Sequence, residues 1–269
     1  MRTPKERGTV SKILSLMVML GVALGSRARP LYAVDGVIEV SETKIQASGG
    51  YPFTIAQAGS YRLTGNLNIA DAGTTAIQIT ASNVTLDLNG FAISGPTVCS
   101  GTPPITPFTC TPSGGGSGVV ATAGDNITVI NGTVRGMGAT GVSVGGHSRI
   151  EAVHAISNGG SGIGASFSST VTGNTVNSNG GTGIGVGSGC TVSGNTVNNN
   201  GAAGISAQAG STVIGNTIRG NGSLGLIFGG IGGASGYGNN VLTGNNSGGT
   251  QVSGGVQIGQ NICSSALCP

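Results

Sequence analysis

Acid–base cleavage of a sugar bond needs two carboxylates within reach of one linkage. From Asn126 to Pro269 this chain offers one, Glu151, alongside Arg135, Arg149, Arg219, His147 and His154. Three of these residues fall close together. Arg149 and Glu151 alternate along one strand face, and His154 follows on the next turn. Arg149, Glu151 and His154 are therefore the candidate ligand-binding cluster, with chemistry suited to an anionic or sugar ligand. A solvated surface salt bridge contributing about 0–1 kcal/mol is the plainer reading of the same residues. The sequence assigns no catalytic residue. Asp35, Glu39, Glu42, Asp71, Asp87 and Asp125 all precede the regular part of the chain and are expected to lie well away from Glu151. No His/Cys spacing suits zinc and no Asp recurs as in calcium-binding rolls, so neither a metal site nor another cofactor is expected.

The N-terminus changes how charge and cysteine are read. Arg2, Lys5, Arg7 and Lys12 precede a short apolar run from Ile13 to Gly25, the pattern of a secretory signal peptide. Cleavage is expected after Ala28 or Ala33, with Ala33 preferred, so residues 1–33 are read as the leader. Its removal takes 6 of 11 basic and 1 of 8 acidic residues, leaving 5 against 7 and a net charge of −2. That balance removes the electrostatic footprint of nucleic-acid binding. A secreted or periplasmic protein follows, with no membrane insertion once the leader is gone. In an oxidising compartment, Cys99 and Cys110 flanking a Pro-rich loop, and Cys263 and Cys268 near the end, are most simply disulfides. Cys190 is left over in a column of small residues, Ser148, Ser169, Cys190 and Ser211, and is read as a structural thiol.

The elements that position these groups come from a repeat. TVTGNTVNSNGGTGIGV starts at Thr170, TVSGNTVNNNGAAGISA at Thr191 and TVIGNTIRGNGSLGLIF at Thr212, 21 residues apart (191 − 170 and 212 − 191). A period of this length marks stacked repeats. In register, Val129, Ile150, Val171, Val192 and Val213 form one apolar column. Val134, Ala155, Val176, Val197 and Ile218 form a second, and Val142, Ile163, Ile184, Ile205 and Leu226 a third. The short period-2 runs predict three strands per coil, each pairing in parallel with its copy about 4.8 Å away. Asn174, Asn195 and Asn216 share a turn column, as do Asn158, Asn179, Asn200 and Asn221. Asn tolerates the left-handed backbone of a tight bend and can stack into amide ladders.

Those columns resemble the repeats of right-handed parallel β-helix proteins, the pectin-lyase-like superfold that includes NosD-like repeats. The resemblance implies an all-β solenoid of about eight coils over 61–262. A cap segment is expected over 34–60, a Pro/Gly-rich loop insertion at about 95–118 and a tail over 263–269. It implies no one activity, because that fold hosts lyases, hydrolases, epimerases and proteins without known chemistry. The outward Thr and Asn rows make a neutral, hydroxyl-rich face. An exported, non-catalytic scaffold contacting polysaccharide, a cell-surface glycan or another polar surface fits these features. The alternative is a polysaccharide-active enzyme, lyase or glycosidase, built from the loop at 95–118 with Asp71, Asp87 and Asp125. Nothing in the sequence indicates an oligomeric state.

Overall fold

The computed structural model describes residues 36–268 apart from 122, 231, 232 and 265, and the expected leader lies outside the described residues. Alternating apolar and polar residues build short strands that wind into a right-handed parallel β-helix, an all-β solenoid. Three parallel ladders run along it. The first begins at Val37–Val40 and Gly59–Leu63 and ends at Val256–Gln257. The second runs from Leu67–Asn68 to Ile262–Cys263, and the third, a sheet of 9 strands, from Phe53–Ile55 to Val252–Ser253. Ile127–Arg135 and Arg149–Ile156 pass through both of the first two ladders. They bend at Asn131 (φ 60°) and Ala152 (φ 53°), where later coils break the strand outright.

The 21-residue register survives intact. Thr170, Thr191 and Thr212 pair in sequence, as do Val171, Val192 and Val213. The three apolar columns point inward and are fully buried, which makes them the core, at roughly 1.5–3 kcal/mol per buried side chain. Gly183 shows why the turn before the third strand needs glycine. A Cβ there would lie 2.4 Å from Val197 Cγ1 and 2.7 Å from the Gly204 carbonyl oxygen.

The coil count exceeds the expected eight. Among the described residues the first ladder stacks strands from Val37–Val40 through Val256–Gln257, and its first rung lies before Tyr61. Val37–Val40 and Phe53–Ile55 lack the repeat motif yet pair in register with the coil that follows. The helix Glu42–Ala47 sits between them, started by Ser41, whose Oγ accepts the Lys44 N–H at 3.3 Å. Ile45 from this helix is buried in the core. At the other end Ile262–Cys263 turns back and pairs antiparallel with Ala266–Leu267, and Cys263 is bonded to Cys268.

The segment at 95–118 leaves the solenoid as a hairpin, Val98–Ser100 against Thr109–Thr111, closed by the Cys99–Cys110 disulfide. It lies along the turns of later coils. Cys99 Sγ is 3.6 Å from the Asn158 carbonyl oxygen, and a Cβ on Gly201 would come 3.1 Å from the Phe108 ring.

Candidate functional site

Strand alternation sends every second residue of the first ladder outward. One outward column is Ser60, Thr85, Thr128, Arg149, Thr170, Thr191 and Thr212. The neighbouring column is Glu39, Arg62, Asp87, Ile130, Glu151, Thr172 and Ser193. The charges on this face therefore gather over the early coils, and Thr and Ser take over beyond Glu151.

Arg149 and Glu151 meet as their spacing requires. Arg149 Nε donates to Glu151 Oε2 at 2.8 Å, and a second guanidinium N–H donates to the same oxygen. Both side chains remain partly exposed, so the pair adds little to stability. His154 is not part of this contact. The bend at Ala152 carries it into the second ladder, where it stands exposed between Thr133 and Thr175. No hydrogen bond or ion pair joins it to Arg149 or Glu151 among the described residues.

The structure corrects the expectation that the other acids lie far from Glu151. Asp87 pairs with Ile130, and Ile130 pairs with Glu151, so both carboxylates occupy one outward column two rungs apart. At the rung spacing their Cα atoms are about 9.6 Å apart. Asp87 is well supplied with donors. Its Oδ1 accepts the Asn89 N–H at 2.8 Å and Asn131 Nδ2 at 3.3 Å, and Arg62 Nε lies 3.5 Å from Oδ2.

Two further acids serve turns. Asp71 accepts the Thr74 hydroxyl at 2.7 Å and the Gly73 N–H at 2.9 Å, which hold its pKa below the ordinary carboxylate value. Asp125 accepts the Gly146 N–H at 2.9 Å and faces His147, whose Nδ1 is 3.9 Å from Oδ2. His147 in turn meets the Phe167 ring edge-on at 5.0 Å between centroids. The Asp125–His147–Phe167 contact went unnoticed in the sequence. Its one visible signal is that His147 and Phe167 break turn columns that the later coils fill with Gly, Ser and Ala.

The right-handed β-helix region family matches residues 31–221 and 109–265. The chain belongs to the right-handed β-helix family. Among solved structures, the A-module of the Azotobacter vinelandii mannuronan C-5 epimerase AlgE4 is similar in fold. Its TM-score is 0.52 at 15% identity, over 79% of this chain and 68% of that one. The periplasmic alginate epimerase AlgG aligns with a TM-score of 0.48 at 13% identity, over 85% and 72%. The Agl-KA catalytic domain aligns at 0.46 and 19% identity, over 80% and 48%. At these identities the likeness among β-helix proteins is one of fold. No curated protein is a significant sequence match to this β-helix.

Proposed function

We propose that this β-helix is an exported protein that contacts polysaccharide along the outer face of the first ladder without cleaving it. The observation that carries this reading is the state of the face's two central carboxylates. Glu151 is taken up by Arg149, and Asp87 by Asn89, Asn131 and Arg62. Each carboxylate already holds hydrogen-bonded or charged partners, while the Thr and Ser rows beside them offer uncharged hydroxyls to a sugar chain. The similar fold of an epimerase acting on mannuronan supports a polysaccharide-related role. Two disulfides favour an oxidising compartment, and no helix among the described residues is long and apolar enough to cross a membrane.

One observation favours a second reading. With their Cα atoms about 9.6 Å apart on one outward face, the Asp87 and Glu151 side chains have the reach to bring their carboxyls to the roughly 6.5–9.5 Å separation used by inverting glycosidases. A ligand that displaced Arg149 and Asn131 would leave an acid and a base facing one groove. Incubating the protein with a panel of neutral and acidic polysaccharides, scored for both retention and bond cleavage, separates the two. Retention without cleavage is the expected result; cleavage assigns the face to an enzyme.

A further inference from the structure

The outward columns change character over the last two coils. On the first ladder Thr212 is followed by Gly236 and Val256, and on the second Thr217 is followed by Val241, Ile262 and the returning Leu267. Ile258 folds over Gly236, whose Cβ direction lies 2.9 Å from Ile258 Cδ1. Val256, Ile258 and Leu267 are 54%, 59% and 60% exposed, so the hydroxyl rows end in an apolar rim. From Gly220 to Pro269 the sequence holds no Asp, Glu, Lys, Arg or His.

This rim borders an open strand edge. Val256–Gln257 ends the first ladder and pairs only with Gly236–Gly238 among the described residues. The Val256 N–H donates to the Ser235 carbonyl at 2.7 Å and the Ile258 N–H to the Tyr237 carbonyl at 2.9 Å, both back toward the preceding coil. Alternation along a parallel strand therefore turns the N–H and C=O of Gln257 away from that coil and toward the edge. Native edges are commonly blunted by charges or prolines, and neither stands here between Gly220 and Cys268. The Gln257 side chain ends the inward column of Val192, Val213 and Tyr237 yet stays exposed.

We propose that a second copy of this chain docks on this end, with Gln257 pairing antiparallel to its own counterpart across a two-fold axis. Gln257 then exchanges both backbone hydrogen bonds with the second copy, and Val256 of each copy faces Ile258 of the other on the outer side. The two Gln257 carboxamides, each donor and acceptor, meet where the core column is cut. A second copy fits because a surface without charge sets no like charges against itself, and because the register about Gln257 is its own complement. In a three-sided coil, a two-fold axis through the first ladder exchanges the other two ladders. The Ala266–Leu267 cap of one copy therefore lies over the end of the third ladder in the other. A cavity of about 610 Å³ lined by Tyr237, Gln251 and Val252 opens there. An isologous contact of this kind closes at two copies. It uses none of Asp87, Arg149 or Glu151 and stands without the polysaccharide reading.

The test is sedimentation velocity of the protein over a concentration series. Wild type should sediment as a dimer above about 10 μM, within reach of a small specific interface. Val256→Lys, a change at an exposed side chain, should weaken dimerisation by about tenfold or more while the melting curve of the dilute monomer stays unchanged. Adding Ile258→Glu to Val256→Lys should restore the dimer, because each Lys then faces a Glu of the second copy. Val98→Lys, which charges an exposed apolar site on the hairpin, should leave the dimer intact. A monomer at every concentration, a series of ever larger oligomers, a dimer indifferent to Val256→Lys, or no recovery in the double variant each overturns the proposal. Monomers that float with phosphatidylcholine vesicles would give the rim to lipid and overturn it likewise.

Discussion

Asn179 stands one coil below Asn200 and hands it two hydrogen bonds, from its backbone N–H at 3.0 Å and from Nδ2 at 2.9 Å, both to Oδ1. Asn158 does the same to Asn179, and Asn200 to Asn221. Each Nδ2 also reaches back to a carbonyl 24 residues earlier, as Asn179 does to Ala155 at 2.9 Å. Gln251 closes the row, its Oε1 accepting from both the N–H and Nδ2 of Asn245. A carboxamide is the neutral side chain that both donates and accepts here, so the row can pass through a fully buried column.

Asn200→Ala should therefore be costly despite removing few atoms. It strands the backbone N–H of Asn179, one of the two hydrogens on its Nδ2, and the Asn200 bond to the Val176 carbonyl, for a loss of about 2–5 kcal/mol by the cost of buried unmet groups. Denaturant unfolding measures it. A loss below about 0.5 kcal/mol would show that the ladder is not a structural element.

Val192 tests the core. It lies between Val171 and Val213 with no exposure to solvent, and a carboxylate there has no partner. Val192→Asp should abolish cooperative unfolding of the central coils. Thermal melting within about a degree of wild type would place the column on the wrong face.

How far the sequence could be read follows from the period. Val171, Val192, Val213 and the Asn columns were legible because each coil repeats the same environment 21 residues later. Val37–Val40 was not, since its pairing with Gly59–Leu63 needs only alternation and carries no motif. Asp87 and Ile130 sit in adjacent rungs but 43 residues apart (130 − 87), because the hairpin and its flanks intervene. That break in period hid the column shared by Asp87 and Glu151. The contact between the hairpin tip and the turns at Asn198 and Arg219 was hidden for a related reason: it joins residues about 100 positions apart, by packing that no local pattern encodes.

Cys190 replaces serine in a second kind of ladder. Ser148 Oγ accepts the Ile127 N–H at 3.0 Å, Ser169 Oγ accepts from Ser148 at 3.0 Å, and Cys190 Sγ accepts from Ser169 at 3.3 Å. Burial pushes its thiol pKa up, so little thiolate is present near neutral pH. Native protein should show no thiol reactive toward a disulfide reagent, and unfolded, unreduced protein should show one. Cys190→Ser should change stability by less than about 1 kcal/mol, because the hydroxyl takes over the same N–H. Rapid labelling of the native thiol would contradict its burial.

Glu42 and Tyr51 tie the first helix to the chain that follows it. The Tyr51 hydroxyl donates to one Glu42 oxygen, and Gln46 Nε2 donates to the other at 3.0 Å. Burial alone would raise the Glu42 pKa, but these donors outweigh it and the net shift is below the ordinary 4.5. Tyr51 moves up from 10.0, through burial first and its bond to Glu42 second. A depressed carboxylate stabilises the fold above its unfolded pKa and loses that contribution as pH falls through the folded value. The raised phenol stabilises below its unfolded pKa and loses its part as pH rises through the folded one. Tyr51→Phe should thus cost most near neutral pH, and its difference from wild type should shrink toward acid. A difference that stays constant from neutral to acid pH would remove the bond from the account.

The last prediction concerns the column that Asp87 and Glu151 share. If the face binds polysaccharide without cleaving it, Asp87→Asn and Glu151→Gln should each leave the products of incubation unchanged. Glu151→Gln frees Arg149, which has no other side-chain partner among the described residues, so retention of acidic polysaccharides should strengthen. At the low ionic strength where exposed charges are least screened, one released cation should raise affinity severalfold. Asp87→Asn keeps most of its turn contacts through an amide oxygen and should leave retention of neutral chains within about twofold. A catalytic pair predicts the opposite pattern. Wild type would cleave at least one chain, and either substitution would slow that cleavage by about 10²-fold or more, because general acid and general base each contribute on that scale. Retarded migration of polysaccharide in an affinity gel, followed by reducing-end analysis of the same samples, reads both outcomes at once. Cleavage lost in both variants would make Asp87 and Glu151 an active site.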